Sequence, residues 1–193
     1  MKKILLIILV CFMLCGCNSK EEELLSGYHY VEINIKDYGI ITAKLNADVA
    51  PITVTNFIKL TDEGFYDGLT FHRIIEGFMI QGGDPKHNGT GGSSQTIKGE
   101  FKQNGVFNGL SHTKGAISMA RSEDMNSASS QFFIVQEDSP HLDGAYAVFG
   151  YVIEGIEIVD KICADAKPID NNGTIEYANQ PIINSIKVIE KNE

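Results

Sequence analysis

Hydrophobic and polar residues alternate along most of the chain beyond residue 27, in short runs separated by glycine-containing turns. Alternation with a period of two predicts β-strands that bury one face. Residues 28–46 alternate on both sides of Asp37-Tyr38-Gly39, which predicts a hairpin with glycine in its short loop. Further strands are predicted within residues 70–83, 113–120, 130–136, 145–153 and 182–189.

Two segments change to a helical period. The segment 51–63 follows Asp48, a candidate N-cap, begins with Pro51, which suits a first helical turn, and is followed by Gly64 as a stop. The segment 154–166 places its apolar side chains on one face, which predicts a second helix.

Many short strands, 19 glycines and only two helices predict a mainly β fold. We expect a closed antiparallel β-barrel with the helices covering its open ends. The interior of a small barrel is filled by side chains, so any active site is expected on the outer surface.

Two polar residues stand out in the stretch FHRIIEGFMIQGGD, residues 71–84, which is otherwise rich in large apolar residues. A two-residue loop at Glu76-Gly77 would send Arg73 and Gln81 to opposite faces of the hairpin. A three-residue loop or a bulge would pair Arg73 with Gln81 on one face. We expect the second arrangement, on the outer wall, where a polar pair beside apolar neighbours has the composition of a binding groove. An ordinary surface arginine lying over apolar strands is the alternative.

The first residues have the pattern of an export signal. Lys2 and Lys3 precede an apolar run that is short for a bilayer span and ends in Leu14-Cys15-Gly16-Cys17, which resembles a bacterial lipobox. Cys15 stands where Ala or Ser is more usual. We therefore expect a signal peptide over 1–16, lipidation of Cys17, a polar tether over 17–27 and a folded domain over 28–193. This lipoprotein would be anchored in the cell membrane and face its outer side. A plain secretory signal with an incidental cysteine and an uncleaved anchor are the alternatives.

Charge and composition exclude several classes of function. The formal net charge of −9 argues against nucleic acid and anionic lipid headgroups as partners of the folded domain. Beyond the leader the sequence has one cysteine, Cys163, so no disulfide is expected within the domain, and Cys163 is expected to be a buried small hydrophobe. No pair among the five histidines has metal-ligand spacing, so we expect no metal site. We expect no other cofactor either.

Five stretches follow one another between about residue 28 and residue 189: FHRIIEGFMIQGGDP, NGTGG, KGAISMARS, SSQFFIV and HLDGAYAVFG. In these motifs and in their order the chain resembles the cyclophilins, a class of peptidyl-prolyl cis–trans isomerases. The resemblance implies an eight-stranded antiparallel barrel capped by two helices, and isomerase activity on Xaa-Pro bonds of polypeptides. Together with the leader it suggests assistance in the folding of exported proteins. A monomer is expected.

The resemblance also implies the residues of a groove. Arg73 matches the catalytic arginine of the family and Gln81 the glutamine that orients it. The positions that match substrate-binding residues are His72, Phe78, Met79, Ala120, Arg121, Gln131, Phe133, His141, Leu142 and Tyr146. Three of these depart from the familiar eukaryotic pattern, since Arg121 replaces Asn, His141 replaces Trp and Tyr146 replaces His. These departures leave drug sensitivity and substrate preference open.

Two other classes of function compete with the enzyme. One is a non-catalytic proline-peptide-binding or chaperone module on the same fold, which could lose Arg73 or Gln81. The other is a tethered solute-binding lipoprotein, for which the chain is short. The presence of both polar residues favours the isomerase.

Overall fold

The computed structural model describes residues 23–191, so the predicted signal peptide and Cys17 lie outside the described residues. The helices α1 (Pro51–Asp62) and α2 (Ile156–Asp165) agree closely with the predicted segments. The eight strands are β1 (Tyr28–Ile35), β2 (Gly39–Asn46), β3 (Phe71–Ile75), β4 (Met79–Gly82), β5 (Ala116–Met119), β6 (Phe132–Val135), β7 (Val148–Glu154) and β8 (Ile183–Ile189). Within residues 23–191, neither helix combines the length and the apolar character needed to cross a membrane.

All eight strands lie in one antiparallel sheet, in the order β3-β4-β6-β5-β7-β2-β1-β8. This confirms the predicted mainly β fold with two helices. The prediction of a closed barrel is wrong, because the sheet curls but stays open between β3 and β8. Within the described residues, these two ends approach at an isolated bridge between Thr70 and Ile182, outside both strands.

The sheet stays open because another segment occupies the edge of β3 that a closing strand would need. Thr174 forms a bridge with Arg73, and the N–H of Ile74 donates to the carbonyl of Gly173 at 2.8 Å. The N–H of Ile175 donates to the carbonyl of His72 at 2.9 Å. This segment uses the edge hydrogen-bonding groups of His72 and Ile74 in β3. The first residue of β8, Ile183, therefore bonds before β3, where its N–H donates to the carbonyl of Leu69 at 2.7 Å.

A cluster of aromatic rings fills the core between α1 and one face of the sheet. The ring centroid of Phe57 in α1 lies 5.4 Å from that of Phe132, 5.2 Å from that of Phe149 and 5.0 Å from that of Tyr66. All four side chains are buried. Because large side chains occupy this face, a ligand-binding groove has room on the opposite face of the sheet.

The N-terminus of α1 is capped from a distant loop. The buried carboxylate of Glu100 accepts hydrogen bonds from the N–H of Ile52 at 3.0 Å and the N–H of Thr53 at 2.8 Å. It also accepts one from the Thr53 hydroxyl at 2.7 Å. The side chain of Asp48, the cap predicted from the sequence, instead accepts a hydrogen bond from the N–H of Gly27 at 2.7 Å. The helix therefore uses a non-local carboxylate in place of the local cap.

Candidate active site

The β3–β4 hairpin sets the register of the groove. Ile75 pairs with Met79 across a three-residue loop, and Arg73 pairs directly with Gln81. The loop is closed by a hydrogen bond from the N–H of Phe78 to the carbonyl of Ile75 at 3.1 Å. The predicted odd loop length is confirmed, and Arg73 and Gln81 lie on the same face.

The guanidinium of Arg73 is held by two acceptors. Its Nη1 donates to Gln81 Oε1 at 3.2 Å, and its Nε donates to the backbone carbonyl of Asn172 at 2.7 Å. Burial lowers the pKa of the half-buried Arg73 from its ordinary value, but an arginine keeps its charge at neutral pH. These contacts use two of the five N–H donors of the side chain, which leaves the others for a ligand.

A chain of side-chain amides supports Arg73. Gln81 Nε2 donates to Gln131 Oε1 at 3.0 Å. Gln131 Nε2 in turn donates to the backbone carbonyls of Gly91 at 2.7 Å and Gly89 at 3.1 Å. Since both ends of the Gln81 amide are engaged, a flip of this amide would break its contacts at both ends. The arrangement therefore fixes the Gln81 oxygen toward Arg73.

An apolar pocket lies beside Arg73. Met79 in β4 and Phe133 in β6 pack in a second cluster, whereas their neighbours Ile80 and Ile134 pack in the main core, so the pocket lies on the face opposite that core. The cavity has a volume of about 200 Å³. Its lining residues are Arg73, Phe78, Met79, Gln81, Ala120, Arg121, Phe133, Leu142 and Tyr146. This volume is small for a drug-sized ligand and suits a single side chain of a bound peptide.

A second cavity of about 260 Å³ continues the groove. It shares Gln81, Ala120 and Arg121 with the apolar pocket, and Gln131 lines it as well. Its remaining lining residues are Gly89, Thr90, Gly91, Ser122, Ser127 and Ser129. The groove is therefore apolar at one end and polar at the other.

Arg121 lines both cavities and holds two segments of the groove wall together. Its Nε and Nη2 donate to the carbonyl of Ala145 at 3.1 and 2.9 Å, and its Nη1 donates to the carbonyl of Ser122 at 2.8 Å. The guanidinium carbon lies 4.6 Å from the ring centroid of Tyr146. Arg121 thus ties the loop after β5 to the segment before β7.

Two of the predicted site residues line neither cavity. The ring centroid of His141 lies 5.6 Å from that of Phe78, so His141 supports the rim of the apolar pocket. His72 is 4% exposed and lies next to Arg73 in β3. Neither of its ring nitrogens has a hydrogen-bond partner among the described residues. His72 therefore lies beneath the groove and not in its wall.

One residue that shapes the polar end of the groove was missed in the sequence. The carboxylate of Asp84 is fully buried and accepts hydrogen bonds from the N–H groups of Lys86 at 2.7 Å, Asn88 at 3.1 Å and Gly89 at 2.6 Å. Burial raises the pKa of Asp84, but the backbone hydrogen bonds outweigh burial and hold it below its ordinary value. A Cβ atom at Gly91 would overlap Asp84 Oδ1. Asp84 followed closely by the glycine-rich stretch NGTGG is the sequence signal that could have revealed this loop.

The groove combines a fixed cation, a chain of oriented amides and an apolar pocket. Such a site can hold an apolar group of a peptide while a charged donor faces the peptide backbone. Among residues 23–191, no cluster of three or more His, Cys, Asp or Glu side chains could hold a metal ion.

Comparison with known proteins identifies the family. The model of the family described as cyclophilin type peptidyl-prolyl cis-trans isomerase/CLD matches residues 30–188. Peptidyl-prolyl cis-trans isomerase B of Bacillus subtilis is 48% identical over 132 residues, which cover 68% of this chain and 86% of the relative. A peptidyl-prolyl cis-trans isomerase of Helicobacter pylori is 44% identical over 146 residues, which cover 74% of this chain and 85% of the relative.

Solved structures agree with the sequence relatives. The crystal structure of a cyclophilin type peptidyl-prolyl cis-trans isomerase of Cryptosporidium parvum has a TM-score of 0.75 and 30% identity, and the match covers 86% of this chain and 100% of that chain. A structure of the same protein in the presence of the dipeptide Ala-Pro has a TM-score of 0.73 and 33% identity, covering 84% and 99% of the two chains. Together, the family model, the relatives and the solved structures place the chain in the class of peptidyl-prolyl cis-trans isomerases.

The chain belongs to the cyclophilin-type peptidyl-prolyl cis-trans isomerase family, as its motifs predicted. It is an isomerase that acts on peptidyl-prolyl bonds.

Proposed function

We propose that the groove binds Xaa-Pro segments of polypeptides and that Arg73 is the catalytic donor. The observation that carries this assignment is a guanidinium, fixed by Gln81 and Asn172, beside a small apolar pocket. The Cryptosporidium parvum relative was crystallised in the presence of Ala-Pro, which supports a prolyl ligand for this groove.

The chemistry of the Xaa-Pro bond explains why an arginine suffices. Resonance holds the amide planar with a barrier of about 18–20 kcal/mol, and no bond has to break during rotation. In the twisted state the proline nitrogen becomes pyramidal and gains a lone pair. A fixed charged donor near that nitrogen stabilises the twisted state more than the planar state, which lowers the barrier.

The other groove residues take supporting roles in this proposal. Phe78, Met79, Phe133 and Leu142 hold the pyrrolidine ring while the preceding carbonyl rotates. Gln81 orients the guanidinium, and Gln131 holds Gln81 in turn. The remaining groove walls, which include Ala120, Arg121 and Tyr146, contact the residues that flank the proline.

Replacing Arg73 tests the assignment. Loss of one preorganised donor typically costs about 2.7–4 kcal/mol, so Arg73→Ala is expected to lose about 10²–10³-fold in kcat/KM on an Xaa-Pro peptide in a protease-coupled assay. Arg73→Lys keeps a charge but cannot reach both acceptors in the same way, so it is expected to recover only part of the loss. Lys187→Ala, at an exposed position of β8, is the control for loss of a surface cation. Near-normal turnover in Arg73→Ala would refute the role of Arg73.

A double-mutant cycle tests whether Gln81 acts through Arg73. If it does, Gln81→Ala slows the wild-type enzyme but has little further effect in the Arg73→Ala background. Independent, multiplicative losses in the double variant would show that Gln81 has a separate role.

We further propose that the protein is a lipoprotein attached through Cys17 to the outer side of the cell membrane, where it assists the folding of exported chains. The support is the leader pattern, which ends in Leu14-Cys15-Gly16-Cys17. In cells fed a labelled fatty acid, the wild-type protein is expected to carry label and to sediment with membranes. Cys17→Ser is expected to lose the label, and retention of label in this variant would contradict anchoring through Cys17.

A further inference from the structure

A short turn between α2 and β8 extends the sheet at the edge of β3. Residues 168–175 fold back on themselves through a bridge between Pro168 and Ile175 and a hydrogen bond from the N–H of Ile169 to the carbonyl of Thr174 at 2.8 Å. Residues 173–175 pair with β3, as described above. The turn is thus attached to the strand that carries Arg73.

The turn supplies one of the two acceptors that hold Arg73. The carbonyl of Asn172 accepts from Arg73 Nε at 2.7 Å, whereas Gln81 accepts from Nη1 at 3.2 Å. Two acceptors on different nitrogens define the rotation of the planar guanidinium. Removal of the Asn172 contact would leave the group held at Gln81 alone among the described residues.

The side chain of Asp170 fixes the backbone of this turn. Its Oδ1 accepts hydrogen bonds from the N–H of Asn172 at 2.9 Å and the N–H of Thr174 at 3.0 Å. Hydrogen bonds from Thr174, first from its backbone N–H and then from its side chain, lower the pKa of Asp170, so the carboxylate stays charged at neutral pH. The two amides held by Asp170 flank the peptide unit whose carbonyl faces Arg73.

Gly173 allows the turn to approach β3 closely. Its φ of +82° lies in the left-handed region, and an added Cβ atom would overlap Ile75 and lie 2.5 Å from the carbonyl oxygen of Ile74. A larger residue at this position would move the turn away from the strand. The position of the Asn172 carbonyl therefore depends on a local carboxylate and on a glycine.

We propose that Asp170 is a positioning residue for the isomerase: by fixing the Asn172 carbonyl it sets the orientation of the Arg73 guanidinium. This inference rests on the proposed function, because it assumes that the orientation of Arg73 determines turnover. Asp170 itself lines neither cavity. It holds Arg73 through the backbone of the turn, and its negative charge also favours the charged form of the guanidinium, a direct effect that Asp170→Asn removes while it keeps the acceptor oxygen.

Three variants of the full-length chain test this role. Asp170→Ala removes both hydrogen bonds and is expected to lower kcat by about tenfold with a smaller change in KM, since small misplacements of a reacting group are costly. Asp170→Asn keeps an acceptor oxygen and is expected to restore most of the activity. Asp48→Ala, which removes another exposed aspartate that binds a backbone N–H, is the matched control and is expected to keep kcat.

A second measurement reports positioning independently of turnover. The Nε–H of Arg73, observed by ¹⁵N NMR, is expected to exchange with solvent about tenfold faster in Asp170→Ala than in the wild type, with protection restored in Asp170→Asn. Unchanged exchange and unchanged kcat in a folded Asp170→Ala would overturn the inference. If Arg73→Ala is inactive while Asp170→Ala is fully active, this inference fails and the proposed function stands. Near-normal turnover of Arg73→Ala would instead overturn both.

Discussion

The buried imidazole of His72 couples the stability of the protein to pH. Burial is the main reason why the pKa of His72 is lowered from the ordinary value of 6.5, with Asp84 opposing and Arg73 reinforcing the shift. Burial lowers the pKa of His112 as well, although its contact with Asp143 opposes that shift. For both residues folding favours the neutral imidazole. Their contribution to stability is complete above the unfolded pKa and is lost as the pH falls toward the lowered folded pKa.

The pH dependence of the free energy of unfolding, compared between the wild type and His72→Leu, tests this coupling. The free energy of unfolding of the wild type is expected to fall below about pH 6.5, by up to about 1.4 kcal/mol per pH unit for each histidine that gains a proton on unfolding. His72→Leu is expected to show a shallower fall, because the variant lacks one imidazole that gains a proton on unfolding. It is expected to fold, since neither ring nitrogen of His72 has a hydrogen-bond partner that the substitution would remove. Urea unfolding at pH 5, 6 and 7.5 measures the slopes. The exposed His141→Leu serves as the control, and an unchanged slope in His72→Leu would contradict the role of the buried imidazole.

At the residue scale, some contacts of Arg73 are visible in the sequence and others are not. The pairing of Arg73 with Gln81 follows from the parity of one hairpin loop, which is a local property. The contact with Asn172 joins residues 99 positions apart through a backbone carbonyl, which any residue type could supply. The family motifs placed His72 in the groove, yet its side chain is buried, with its ring next to Gly89.

At the element scale, α1 depends on a carboxylate outside the helix. Glu100 accepts a hydrogen bond from the N–H of Ile52 at Oε1 and one from the N–H of Thr53 at Oε2. Glu100→Gln cannot accept at both positions, since one oxygen becomes an NH₂ donor that faces an N–H donor. We expect a loss of about 2 kcal/mol in the free energy of unfolding, which combines the loss of a cap with an unsatisfied buried donor. Urea unfolding at pH 7.5 measures this loss.

Asp48→Ala is the informative comparison for Glu100→Gln. The sequence predicted Asp48 as the cap, whereas its side chain binds the N–H of Gly27 at an exposed site. Replacement of Asp48 by alanine is therefore expected to lower the free energy of unfolding by about 0.5 kcal/mol. Equal losses in the two variants would argue that Glu100 is not the dominant cap.

The edge of β3 shows why strand patterns did not predict the openness of the sheet. Periodicity places each strand and its buried face, and the predicted strands and helices agree with the observed ones. It does not reveal which neighbour each edge will have. The segment 172–175 has no alternating pattern, yet its contacts with Arg73 and Ile74 occupy the edge at which a barrel would close.

At the scale of the whole molecule, Cys163 offers a probe of global unfolding. It is the single cysteine of the described residues, it is 2% exposed, and it packs in the main core. Burial, reinforced by Asp160, raises the pKa of its thiol to about 12. Because the thiolate is the reactive form, folded Cys163 is expected to resist an aromatic disulfide reagent at pH 8. Labelling should then require an opening that exposes the core.

The experiment uses the protein with Cys11, Cys15 and Cys17 replaced by serine, so that labelling reports Cys163 alone. The labelling rate of Cys163 without urea is expected to be far below that of a free thiol. As urea is added, the labelling rate is expected to rise in parallel with global unfolding, either with the unfolded population or with the unfolding rate. Ser94→Cys in the same background, at an exposed position, controls for reagent activity and is expected to react rapidly. Rapid labelling of Cys163 without urea, in a protein that keeps full isomerase activity, would show that α2 opens without unfolding of the groove. In that case the helix and the groove would be separate cooperative units, and the main core around α2 would open without the apolar cluster of the groove.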